Sequence, residues 1–197
     1  MYKLLKTASG TTPVPIDSAL FDSRKIFLTG EITQETANEV FRNILMLNAD
    51  STKPITMIIN SGGGEIAAGL SIYDTMKLSA APIKTVNISE AYSMAAILFS
   101  CGTGGRYMFP NAKLMLHEPL LKTPVGGNVS DIRSLYETIN ASKDMINNIL
   151  AKNCNKTLSE IDALTTKYDH FFDATESIKH GFADGIITDL TSIIKGE

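Results

Sequence analysis

Apolar and polar positions along this chain change period several times, and each change predicts an element. Lys25-Ile26-Phe27-Leu28-Thr29 alternates and predicts a strand ended by Gly30. Thr33 then predicts an N-cap for a helix over residues 34–47, with Ala37, Val40, Phe41, Ile44 and Leu45 on one face. Ile55-Thr56-Met57-Ile58-Ile59-Asn60 is a β-branched run that reads as a strand. The run Ser61-Gly62-Gly63-Gly64 follows it, and then a helix carrying Ile66, Leu70 and Tyr73. The unit repeats in Ile83-Lys84-Thr85-Val86-Asn87-Ile88, a short link, and an apolar helix over residues 94–101 stopped by Gly102.

Two brief strands are expected next, at residues 106–109 and 113–116, with His117 where the second ends. Residues 117–129 form a connection containing Pro119, Pro124, Gly126 and Gly127. A long amphipathic helix is predicted over 131–152, its stripe being Ile132, Leu135, Tyr136, Ile139, Ile146, Ile149 and Leu150. Thr157-Leu158-Ser159-Glu160 has capping-box spacing and predicts another helix start. A small helix at residues 176–180 and a last strand at 185–188 complete the pattern. Strands alternating with helices predict an α/β fold with mostly parallel pairing. Residues 1–16 read as a flexible or extended arm, and 17–197 as a single domain.

Composition narrows the function classes. The chain has 197 residues, 44% of them hydrophobic, with a net charge of −3, which suits one domain with its own core. Without a basic excess, a dedicated nucleic-acid binder is not expected. No apolar run approaches the 18 residues or so of a membrane span, and the first residues lack a signal-peptide core. Two cysteines, Cys101 and Cys154, and three histidines show no metal-ligand spacing, so no metal is expected. Sequons at Asn87, Asn128, Asn140 and Asn155 read as chance in a cytoplasmic protein.

Ser93 falls in a strand-to-helix turn flanked by the small residues Ala91 and Ala95, a setting that resembles a nucleophile elbow without the GxSxG sequence. An N-cap serine is the plainer reading of that residue alone. A serine nucleophile needs a base, and His117, at the C-terminal end of a strand, is the best placed. The alternative is a half-buried structural histidine. His180 reads as a dipole partner at a helix C-terminus, and His170 as solvent-facing or interfacial. Asp169, between apolar anchors in Tyr168-Asp169-His170-Phe171-Phe172, is the candidate orienting acid. Asp173 reads as a turn residue and Asp162 as an exposed helical one. The glycine run lacks a phosphate-loop pattern; it serves either as a plain turn or as an oxyanion donor with the Met94 N–H.

The motifs taken together resemble the ClpP caseinolytic protease family. The segments that carry the resemblance are Ile26-Phe27-Leu28-Thr29-Gly30, Ile59-Asn60-Ser61-Gly62-Gly63-Gly64 and Gly69-Leu70-Ser71-Ile72-Tyr73-Asp74-Thr75-Met76. Ala91-Tyr92-Ser93-Met94-Ala95, Leu116-His117-Glu118-Pro119-Leu120 and Asp169 with residues 176–181 continue it in family order. The resemblance implies a crotonase/ClpP-like fold of repeated ββα units with a protruding handle helix. It implies a serine endopeptidase acting on unfolded polypeptides, with the triad Ser93, His117 and Asp169 and oxyanion donors at Gly63 and Met94. Substrate would add as a strand along Gly62 and Gly64 and the residues from Pro119 and Leu120 onward. The implied partners are further copies of the chain, as heptameric rings stacked into a tetradecamer, and a Clp-type AAA+ ATPase or a ClpP paralogue. No cofactor is implied for this chain; ATP would be used only by the ATPase.

The sequence departs from the family pattern at named places. Gly62 stands where a proline is usual, Tyr92 where alanine is usual, and His170 where an arginine bridges the rings. Leu121-Lys122-Thr123-Pro124-Val125 replaces a glycine-rich strand, and Thr56 and Ile58 replace aromatic residues of the ATPase-docking pocket. Two other readings are therefore carried forward: a non-catalytic or weakly active paralogue in mixed rings, and a crotonase-fold acyl-CoA enzyme.

Overall fold

The computed structural model describes residues 1–7, 10–121 and 124–194. The chain opens with strands β1 (Tyr2–Thr7) and β2 (Gly10–Pro15), paired antiparallel, with Tyr2 opposite Pro15 and Thr7 opposite Gly10. The segment expected as an arm, residues 1–16, thus holds both strands of a hairpin. A short helix α1 (Ile16–Asp22) leads from it into the domain.

The central sheet is built from β3 (Lys25–Ile32), β4 (Ile55–Gly64), β5 (Ile83–Tyr92), β6 (Arg106–Met108) and β9 (Gly185–Ile186), in the order β3-β4-β5-β6-β9 and all parallel. Helices α2 (Gln34–Asp50), α3 (Ile66–Leu78) and α4 (Met94–Phe99) fill the crossovers. A parallel sheet buries both faces, which is why β4 is a continuous β-branched run rather than an alternating one. Thr33 caps α2 as its position predicts, accepting the Thr36 N–H. The stripe of α2 is narrower than predicted: Ala37, Val40, Ile44 and Leu47 are buried, whereas Phe41 and Leu45 are exposed.

Strands β7 (Lys113–Leu116) and β8 (His170–Phe172) belong to the same seven-stranded sheet but lie off this path. The first half of β5 pairs with β6 and its last residues pair with β7, so the chain bends away between the two at residues 109–112. β8 adds antiparallel to the free side of β7, with Leu116 opposite His170. The long helix α5 (Val129–Cys154) starts and ends beyond the predicted bounds, held at its start by an Asn128–Asp131 capping box. Its C-terminal half buries Leu150, Ala151 and Cys154; its N-terminal half exposes Val129, Ile132 and Tyr136. Helices α6 (Leu158–Thr165) and α7 (Ala174–Lys179) each open with a capping box, at Thr157 and Asp173, and α8 (Thr191–Ile194) ends the described chain.

Asp162 is not an exposed helical residue: it is half-buried and accepts a 2.7 Å hydrogen bond from Asn147 Nδ2 on α5. Thr56 and Ile58 lie on the sheet face away from α2 and α3, where Ile58 packs with Val86, Ile187 and Ile193. Lys122 and Thr123, in the segment expected to replace a glycine-rich strand, lie outside the described residues. Among the described residues no helix is long and apolar enough to cross a membrane.

Candidate active site

Ser93 sits between the end of β5 and the start of α4 with φ +54° and ψ −125°. Few non-glycine residues hold such a backbone, and where they do the surroundings enforce it. Here the enforcement is visible. The Ser93 N–H donates to Met115 O on β7 at 2.9 Å, and the Ser93 carbonyl accepts the Ala96 N–H at 2.9 Å as α4 begins. The small neighbours Ala91 and Ala95, both fully buried, let this turn pack closely. The side chain makes no capping hydrogen bond, so the plain N-cap reading fails. Instead Ser93 Oγ lies 2.8 Å from His117 Nε2.

His117 follows the last residue of β7, and its side chain is only 13% exposed. Its Nδ1 is buried and lacks a hydrogen-bond partner. The nearest carboxylate oxygen is Asp169 Oδ1 at 3.5 Å, on a side chain that is 57% exposed. The imidazole is thus engaged with the serine hydroxyl, and the carboxylate stands just outside hydrogen-bonding geometry. His117 is therefore not a bland structural histidine: one nitrogen faces the serine hydroxyl, the other a carboxylate.

The glycine run belongs to the end of β4 rather than to a free loop. Ser61 fixes it. Its buried hydroxyl donates to Gly30 O at 2.6 Å and accepts the Gly63 N–H at 3.1 Å, beside register shifts in both neighbouring ladders. Gly63 has φ +90°, and a Cβ placed there would lie 2.8 Å from Ser93 Cβ and 3.0 Å from Met94 N. This glycine therefore lets two backbones meet at the site, with its own N–H turned to Ser61.

These groups open onto a cleft of about 520 Å³. Gly62, Gly63, Gly64, Ser93, Met94, His117, Pro119 and Leu120 all line it; Asp169 does not, standing behind the imidazole. The cleft continues past Ser93 to Ile97, Ile146 and Leu150, with Asn147 and Thr165 beside them. Sequence reasoning assigned Ile146 and Leu150 only to a helix stripe and missed that their end of α5 floors the cleft. Asn147 was missed altogether, though a polar residue between two apolar stripe positions is a signal of a satisfied buried group. It donates to Asp162 and to Thr165 Oγ1.

A Clp protease family model matches residues 9–189. An ATP-dependent Clp protease proteolytic subunit from Leuconostoc citreum (strain KM20) is 37% identical over 185 residues, covering 93% of this chain and 92% of that protein. This chain belongs to the Clp protease family. It is a serine-type endopeptidase with that family's mixed α/β architecture. Against the family pattern, Tyr92 does not enter the cleft. Its ring packs edge-on to Phe171, with centroids 5.6 Å apart. Glu118, next to the histidine, pairs with Lys143 of α5 at 2.7 Å, and that hydrogen bond raises the lysine's pKa.

Proposed function

We propose that this chain is the proteolytic subunit of a self-compartmentalised serine protease, with Ser93 as nucleophile, His117 as general base and Asp169 as orienting acid. The observation that carries the reading is the 2.8 Å contact between Ser93 Oγ and His117 Nε2 at a positive-φ turn inside the cleft.

In the reaction Ser93 Oγ attacks the scissile carbonyl while His117 Nε2 takes its proton. The tetrahedral oxyanion faces the Met94 N–H at the start of α4. Gly63 supplies a second donor once its N–H exchanges Ser61 Oγ for that oxyanion. The imidazolium protonates the leaving amine, leaving an acyl-enzyme. Water then attacks, His117 takes its proton and returns one to Ser93. Asp169, drawn in from 3.5 Å, receives the Nδ1–H and holds the tautomer. The peptide lies extended beside Gly62 and Gly64 and along Pro119 and Leu120, with one side chain directed towards Ile97, Ile146 and Leu150.

The exposed apolar half of α5 supports assembly into stacked rings, heptamers joined as a tetradecamer. A Clp-type ATPase would feed this chamber and alone consume ATP; a ClpP paralogue could share the rings. The chain itself needs no cofactor, and its place is the cytoplasm. A fluorophosphonate probe tests the reading. It should label the assembled protein, and labelling and peptidase activity should both vanish in Ser93→Ala. An assembled protein that takes up no probe and cleaves no peptide would be a structural ring subunit instead. Saturable binding of a CoA ester would favour the acyl-CoA alternative.

A further inference from the structure

Tyr92, Met115 and Phe171 stand in one row across three strands. Tyr92 on β5 is in register with Met115 on β7, and Met115 is in register with Phe171 on β8. Each is close in sequence to one member of the triad: Tyr92 directly precedes Ser93, Met115 is two residues before His117, and Phe171 is two after Asp169. The outer two reach across the middle one, with their rings 5.6 Å apart and nearly perpendicular (89°). That is an attractive edge-to-face arrangement.

The row matters because the acid is the weakly held member. β8 has three residues, pairs only with β7 among the described strands, and carries Asp169 at its entrance. Asp169 is mostly exposed and 3.5 Å from an imidazole nitrogen that is buried without a hydrogen bond. A small slide of β8 along β7 would therefore decide whether that bond forms. The Tyr92–Phe171 contact opposes such a slide, because it ties β8 to β5, the strand that ends in the nucleophile.

We infer that Tyr92 is a positioning residue for the triad: its ring, through Phe171, sets how Asp169 meets His117. This rests on the triad proposed above. An alanine at this position could not span Met115 to reach Phe171.

The test compares Tyr92→Ala, Tyr92→Phe and Asp169→Asn, and combines Tyr92→Ala with Asp169→Asn. The readouts are kcat and KM for a peptide substrate and the rate of fluorophosphonate labelling. Only the ring is needed, so Tyr92→Phe should match the parent. Tyr92→Ala should lose roughly ten- to a hundredfold in kcat/KM, as expected for a misplaced catalytic group. An acid that orients the base without touching substrate acts on the chemical step, so the loss should fall on kcat and leave KM at the parental value, as in Asp169→Asn. Adding Tyr92→Ala to Asp169→Asn should cost nothing more.

Phe171→Ala, which removes the contact from its half-exposed side, should reproduce the effect if Tyr92→Ala folds poorly. Full activity in both alanine variants, a loss that falls on KM alone, or a loss that adds to that of Asp169→Asn overturns the inference while leaving the triad standing. An Asp169→Asn protein with parental activity would instead overturn the triad.

Discussion

At Gly63 the backbone turns with φ +90°, and a Cβ there would stand 2.6 Å from the Tyr92 carbonyl oxygen. Neither that backbone nor Ser93 has room to yield, since both are held in ladders and by the strained turn. Gly62, one residue earlier, is not in the positive-φ region and would meet nothing within 4 Å. Gly63→Ala should therefore destabilise the protein by about 2–3 kcal/mol. Gly62→Ala should be neutral or stabilise by up to about 1 kcal/mol, because it restricts the unfolded chain. Urea unfolding of the two variants checks this; equal midpoints would mean that the glycine run has no single critical position. The glycines and Ser93 could be singled out in the sequence because strand-glycine-helix and strand-serine-helix transitions are local patterns. What was not legible is the Ser61 hydroxyl that binds Gly30 and Gly63, since it depends on which strand lies beside β4.

At the scale of elements, α5 shows how far periodicity carries. Its stripe from Ile132 to Leu150 predicted one buried face, and the helix is there. Yet the stripe is buried only at its C-terminal end, while Val129, Ile132 and Tyr136 face solvent. A hydrophobic stripe specifies that a face needs covering, not that the same chain covers it. The Phe41 and Leu45 positions of α2 make the same point on a smaller surface. Covering by another copy predicts that Ile132→Asp with Tyr136→Asp will reduce the assembly to smaller species. The fold of each chain should persist, because neither residue touches the core. Sedimentation velocity with far-ultraviolet circular dichroism measures both. An unchanged assembly would show that this half of α5 is not an interface. Short elements were harder to read than long ones. β8 has three residues, too few for a periodic signal, although it carries Phe171, the partner of Met115 in the ladder.

Across the whole molecule, Arg106 joins parts of the chain that are far apart in sequence. From β6 its guanidinium donates to Asp184 through Nε at 3.0 Å and Nη2 at 2.5 Å, while Nη1 reaches Gly181 O at 2.8 Å and Asn153 O at 3.3 Å. The Arg106 backbone N–H also donates to Asp184 Oδ2 at 2.8 Å. One side chain thereby fastens the end of α5, the exit of α7 and the approach to β9 onto the sheet. The guanidinium hydrogen bonds hold the Asp184 carboxyl below the usual aspartate range. A carboxyl depressed in the folded state contributes stability that is complete above its unfolded pKa of about 3.9 and is lost as pH falls through the lower folded value. The stabilisation should thus hold from neutrality down to about pH 4 and fade below it. Asp184→Asn should flatten that part of the profile: its stability should change less than the parent's between about pH 4 and pH 2.5. At neutral pH the variant should be weaker by the order of 1 kcal/mol, a modest figure because the carboxylate is two-fifths exposed and solvent screens the pair. Urea midpoints across that range decide it. If parent and variant lose stability in parallel, the acid sensitivity of this fold lies elsewhere, and Arg106 acts as a hydrogen-bond donor to carbonyls rather than through its ion pair.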